Sequence, residues 1–160
     1  MSTATLWKNP EDLLVPEDCE RVVATVLDNN KFSGMDDETA RRIVREALKF
    51  VAACGEHRDR SLAPSRVVDE GWHALILNTR VHAELCGRFG GLVHHYPQRP
   101  DPRRCSGAVV QRTLDAIEAS GYRPDRKLWG DPQTGKVVVA ANCQHTPPDC
   151  QVTCMNAPSE

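Results

Sequence analysis

The sequence predicts a mainly α fold, a small bundle of about four helices with a short C-terminal β or irregular tail rich in cysteine. Three observations carry this. Apolar residues recur at spacings of three and four in four separate stretches between residues 17 and 121. Helix start and stop residues bound those stretches, among them Asp36-Asp37-Glu38, Gly55, Pro64-Ser65 and Gly121. Beyond Gly121 the periodicity is lost. With 40% apolar and 26% charged residues, a chain of 160 has enough apolar mass for one core. The expected organisation is an N-terminal arm (1–16), a helical domain carrying a metal site (17–121), and an extended segment with a Cys- and Pro-rich tail (122–160).

The elements follow in order. Pro10 and Pro16 push their preceding residues away from helical geometry, which makes the arm irregular. A first helix starts near Glu17, with Cys19, Val22, Val23, Val26 and Leu27 on one face, and Asn29-Asn30 closes it. A second opens on Asp36-Asp37-Glu38, acids suited to the positive end of a helix dipole, and runs as a stripe of Ala40, Ile43, Val44, Ala47, Leu48, Val51 and Ala52 to Gly55. A third runs from Pro64-Ser65 to Cys86-Gly87, with Val68, Trp72, Leu75, Ile76, Thr79, Ala83 and Cys86 on one broad face. A fourth spans Gly107 to Ser120 and stops at Gly121. Then Asp131-Pro132-Gln133-Thr134-Gly135 reads as a turn and 136–140 as a short strand.

Charge and composition exclude several partners. A formal charge of −2 gives no electrostatic basis for binding nucleic acid, and Arg99, Arg103 and Arg104 read as a solvated face. The first ten residues are too polar for a secretory signal, and no apolar run approaches the roughly 18 residues that span a bilayer, so no membrane partner and a cytoplasmic location are expected. Seven cysteines is an odd number, which argues for reduced thiols over a complete disulfide framework.

The chemistry concentrates in Asp69-Glu70-Gly71-Trp72-His73 and His94-His95. At about 100° per residue, Asp69 and His73 lie about 40° apart around a helix, and Glu70 and His73 about 60°. One turn therefore offers an imidazole and two carboxylates on neighbouring faces. Gly87-Arg88-Phe89-Gly90-Gly91 is a flexible reversal that returns His94 and His95 towards that helix. Along an extended segment these two point to opposite faces, so one of them is a direct ligand and the other orients, moves protons or binds substrate. Such imidazoles with one or two carboxylates suit zinc, iron or copper and leave an open coordination position. There is no His-Glu-x-x-His, and Glu70-x-x-His73 is the only Glu-x-x-His, so neither a zincin nor a paired di-iron bundle fits.

The run Val68 to Arg80, followed by Cys86, Phe89-Gly90 and Val93-His94-His95-Tyr96-Pro97, resembles the core signature of the glycine-rich domain protein-like family, helical domains of plants and bacteria that are largely uncharacterised. The resemblance covers roughly residues 12 to 97, and its Asp-x-x-Trp-His and His-His-x-Pro elements are specific in combination. It implies that Asp69, Trp72, His73, His94 and His95 belong to one site, and it supplies no reaction. This chain departs from the pattern at His82, where an aromatic is usual, and in a tail rich in cysteine instead of glycine. On a straight helix His82 lies about 180° from His73, so the two cannot share a metal.

Other residues read more plainly. His82 and Cys86 share a helix face, but a helix C-terminus disfavours a thiolate, so Cys86 reads as core. Cys143, His145, Cys150 and Cys154 are enough for a second, tetrahedral metal site; the competing readings are a disordered tail with free thiols, a local disulfide such as Cys150 with Cys154, or a tail that folds back onto the central histidines. Trp7 and Trp129 read as packing anchors, and His57 as a helix cap.

The leading expectation is a mononuclear metalloenzyme, an oxidoreductase or a hydrolase or lyase, acting on a small-molecule substrate. His73 and His94, with or without His95, hold the ion, Asp69 is a ligand or its hydrogen-bond partner, Glu70 is the candidate general base and Trp72 an apolar wall. The alternatives are a non-catalytic helical interaction module with a structural His/Asp cluster, and a cysteine-based redox protein using the tail.

Overall fold

The computed structural model describes residues 6–97 and 107–130, and the backbone of 143–145. It is mainly helical. After a 3-10 turn at Pro10–Leu13 come α1 (Pro16–Asn29), α2 (Asp37–Glu56), α3 (Arg66–Leu77), α4 (Thr79–Gly87), β1 (His95–Pro97), α5 (Gly107–Ala119), the short α6 (Arg126–Trp129) and β2 (Cys143–His145). β1 and β2 pair antiparallel. Among the described residues, no helix is long and apolar enough to cross a membrane.

Local chemistry sets the helix ends. Pro16 opens α1, where a missing N–H costs nothing. Asp36 caps α2 by accepting from the Thr39 amide at 2.7 Å. Ser65 caps α3 through the Val68 amide at 3.1 Å, and its hydroxyl also donates to the Leu128 carbonyl at 2.6 Å, fastening the start of α3 to α6. Gly121, at φ +86°, turns the chain after α5.

α2 is the centre of the molecule. Every residue from Glu46 to Gly55 is buried, because α1, α3 and α5 pack around it and the Pro10–Leu13 turn closes one end. The deepest apolar groups are Phe50, Leu48, Ile43, Trp72 and Trp129, with Phe50 edge-on to Trp72 at 5.4 Å between ring centroids. One polar group sits among them. The fully buried Glu46 accepts from Trp129 Nε1 at 2.6 Å and from the Asp125 amide at 3.0 Å, and it pairs with Lys49, which donates in turn to the Arg123 carbonyl. Every donor that approaches this carboxylate holds the 122–130 segment on α2. The segment expected to be extended therefore continues the helical body as far as Trp129. The strand expected at 136–140 lies outside the described residues.

The single third helix expected from 64 to 87 is instead two. The break is at Asn78 (φ −88°, ψ 68°), whose side-chain amide donates to the Ala74 carbonyl at 2.8 Å and to Thr25 Oγ1 of α1 at 3.0 Å. A side chain that bonds the preceding turn and a neighbouring helix outcompetes one more helical hydrogen bond.

Candidate metal centre

Asp69 and His73 are set by α3. Val68, Trp72 and Leu75 bury one face of the helix, and the 40° offset puts the Asp69 carboxylate and the His73 ring side by side at its margin. Gly71 lets α3 lie close on α2: a Cβ there would meet the Ile43 carbonyl oxygen at 2.8 Å and Ala47 Cβ at 2.9 Å. The glycine inside the Asp69–His73 run thus fixes the depth at which the site sits against the core.

His95 arrives from the other side of a reversal. Gly90 and Gly91 adopt φ +83° and +142°, open to glycine and strained for other residues. Arg58 reaches across to donate to the Phe89 and Gly91 carbonyls at 3.0 and 2.7 Å. The Val93 amide donates to Cys86 Sγ at 3.4 Å, and Val93 is buried, so the return strand is anchored on both sides of the turn. From there His95 lies against α3, its ring 4.6 Å from His73 and 4.6 Å from Trp72 between centroids.

The three groups converge. Asp69 Oδ2 is 3.4 Å from His73 Nδ1, Asp69 Oδ1 is 3.5 Å from His95 Nε2, and one potential ligand atom from each residue lies within 4.8 Å of the others. Side-chain exposure is 7% for Asp69, 12% for His95 and 43% for His73, so the cluster is sheltered on two sides and open beside His73. Two ligand atoms about 2.1 Å from a tetrahedral ion stand about 3.4 Å apart. Both N···O separations match that edge, one on each oxygen of the same carboxylate. Two imidazoles and a carboxylate form a donor set fit for zinc or iron(II), so these residues could hold a metal ion.

The remaining candidates are placed as follows. His94 is exposed, on the opposite side of the strand from His95, with its ring 6.0 Å from Tyr96. Of the His94-His95 pair, only His95 joins Asp69 and His73, as alternation along an extended chain requires. Glu70 is half-buried and stands outside the three-residue group. Trp72 forms the apolar wall behind His95.

His82 is not among the three, but for a different reason from the one expected of a straight helix. On a continuous helix it would stand about 15 Å along the axis from Trp72. The break at Asn78 folds α4 back so that Trp72 Nε1 donates to His82 Nε2 at 3.4 Å, with Cys86 Sγ 3.5 Å from the same nitrogen. Burial, with a smaller contribution from His94, pushes the His82 pKa below its ordinary value and favours the neutral ring that can accept from Trp72. The i,i+4 spacing marked the contact of His82 with Cys86, but no local pattern marked its partner Trp72 or the role of Arg58, since those partners lie a helix break or a loop away.

Burial raises the Cys86 and Cys19 thiols above their usual pKa, which suits core cysteines and not nucleophiles. Both are buried, as is Cys54, and His57 caps α2. Cys150 and Cys154 lie outside the described residues. Cys143 and His145 are described as backbone only, in β2. A cleft lined by Trp7, Arg123, Asp125, Arg126 and Lys127 includes none of the candidate ligands.

No curated protein and no solved structure matches this chain. The UCP032817-like family matches residues 20–103, more than half of the sequence, and that stretch holds Asp69, His73 and His95 together with the reversal joining them, so the chain belongs to the UCP032817-like family.

Proposed function

We propose that this protein binds one divalent transition metal ion through Asp69, His73 and His95, and that the ion serves small-molecule chemistry. The observation that carries the reading is the pair of N···O separations, 3.4 and 3.5 Å, from one sheltered carboxylate to two imidazoles brought in by different segments. The resemblance of residues 68–97 to the glycine-rich domain protein-like family supports the same grouping of acid and histidines. A zinc or iron(II) ion with three protein ligands supplies a Lewis acid with a free coordination position.

The chain's own residues define the surroundings. Asp69 places one oxygen beside the facing nitrogen of each ring, so all three groups point at the same spot. Trp72 excludes water behind His95. The half-exposed His73 marks the side by which a small molecule enters. Glu70, one residue along α3, is the nearest further carboxylate in sequence and takes the role of general base.

Metal analysis of protein purified without a polyhistidine tag tests the reading. Close to one equivalent of zinc or iron is expected, or stoichiometric uptake on titration; less than about a tenth of an equivalent, with no uptake, removes it.

The second reading is a structural cluster, favoured by the i,i+4 placement of Asp69 and His73, in which the carboxylate pairs with the imidazoles to hold β1 on α3. It requires that His73→Ala destabilise the protein equally with and without a chelator.

A further inference from the structure

Of the three tryptophans, Trp72 and Trp129 are fully buried, whereas Trp7 is 40% exposed. Burial accounts for the first two and leaves Trp7 to be explained. Its indole forms one side of a cleft of about 580 Å³, whose other sides are Glu118 of α5, the chain from Arg123 to Asp125, and Arg126 and Lys127 of α6. That volume suits a small molecule, since such sites span about 300–1,000 Å³. The cleft shares no residue with the group of Asp69, His73 and His95.

Its walls are fixed from behind. The Lys8 amide donates to the Gly121 carbonyl at 2.8 Å, and the Lys8 ammonium lies 5.5 Å from the centre of the Tyr122 ring, so the arm that carries Trp7 is fastened to the turn after α5. Lys49 donates to the Arg123 carbonyl at 2.8 Å and the Asp125 amide donates to Glu46 at 3.0 Å, which pins the opposite wall to α2. A site that needs little ordering on binding keeps more of its interaction energy. The charges along it do not cancel. Arg126 pairs with Glu118 at 2.8 Å, and Asp125 is held at 2.6 Å by Arg42, which is not part of the cleft. Both acids are thus answered, and Arg123 and Lys127 stand as two exposed cations with no third acid among the described residues that line the cleft. In a chain of formal charge −2, this is a local positive excess that draws an anion.

We propose that this cleft binds a small aromatic anion, a flat ring stacked on Trp7 with its phosphate or carboxylate held by Arg123 and Lys127. An indole face stacks on any flat ring, and a guanidinium matches the oxygens of either anion. Neither feature alone is selective. Their combination in one cleft, on segments locked together at Lys8 and Gly121, selects a molecule that carries both the ring and the charge.

Titration calorimetry on the full chain tests it with two sets of probes. Adenosine monophosphate is compared with adenosine and with inorganic phosphate, and benzoate with benzyl alcohol and with acetate. In at least one set the ring-bearing anion is expected to bind about tenfold more tightly than either of its halves, and less tightly as salt rises. Trp7→Ala should abolish the advantage over the bare anion. Arg123→Ala combined with Lys127→Ala should abolish the advantage over the neutral ring. Glu118→Gln, which releases Arg126 from its partner, should tighten binding, a gain that a misfolded variant would not show. The proposal is overturned if neither ring-bearing anion binds more tightly than about 10 mM, or if each binds no better than its halves. It is also overturned if His73→Ala abolishes binding that the Arg123 and Lys127 variant retains, which places the ligand at the metal centre.

Discussion

Nε2 of His95 stands 3.5 Å from Oδ1 of Asp69, so one carboxylate joins α3 to a strand that reaches it only after the Gly90-Gly91 reversal. An ion bound there belongs to the folded state alone, since the unfolded chain has no preformed site. Zinc added at about a hundred times its dissociation constant should stabilise the parent protein by about 2.7 kcal/mol. His73→Ala and His95→Ala should lose that gain, and excess chelator should remove most of the stability difference between parent and variants. Thermal denaturation with and without zinc reads both. An undiminished difference under chelator favours the structural cluster.

Gly71→Ala tests the seating of α3 on α2. The added methyl would lie 2.8 Å from the Ile43 carbonyl oxygen, a backbone atom that cannot simply rotate away. Overpacking of this kind costs about 1–3 kcal/mol. Because the helix must lift, Asp69 and His73 move with it, so metal affinity should fall together with stability. Urea denaturation and a metal titration on the same variant check the pair of effects.

Glu46→Ala should be the most damaging surface-remote change. It leaves the buried Lys49 without its carboxylate and strips a hydrogen bond each from Trp129 Nε1 and the Asp125 amide. Removing one partner of a buried ion pair costs about 3–5 kcal/mol. Release of the 122–130 segment should show as greater quenching of tryptophan fluorescence by acrylamide.

His82 gives a dependence on pH. Its folded pKa lies below the ordinary value, so its neutral form contributes stability that is complete above about pH 6.5 and declines as pH falls towards the lowered folded value. The decline cannot exceed about 1.4 kcal/mol per pH unit from this one group. Protonation would remove the acceptor that Trp72 uses, beside Cys86 and facing the charge of His94. In His82→Leu the stability profile should be flatter below pH 6.5 than in the parent, with the two curves running parallel above pH 7; equal slopes in acid would overturn the assignment.

Much of this architecture was legible in the sequence. The stripes of α1, α2 and α5 are regular because each helix buries one face against a neighbour. Asp69 and His73 were legible because both lie within one turn, and the approach of β1 because glycines announce a reversal. The break at Asn78 was not, since apolar spacing continues across it and the deciding bond is to Thr25 on another helix. The same limit hid the pairing of Glu46 with Trp129 and of Trp72 with His82. A choice between His94 and His95 needed the direction from which the strand meets α3, which is a tertiary fact.

The latch formed by Arg58 has a kinetic consequence. Beyond its own turn, the 88–95 segment is held by two hydrogen bonds from the Arg58 guanidinium, one from Arg88 to the Asp12 carbonyl, one weak bond to sulfur, the buried Val93, the contacts of His95 with Asp69 and Trp72, its pairing in β1, and Phe89 seated over Gly55, where even a methyl group would come within 2.3 Å of Phe89 Cβ. None of these ties is part of the α1–α2–α5 packing, so the segment can swing out while those helices stay folded, and its amides should exchange with solvent deuterium well before those of α2. His95 leaves with that segment and Asp69 and His73 do not. If an ion binds there, the rate of this sub-global opening, and not global unfolding, would set how fast it is captured or lost.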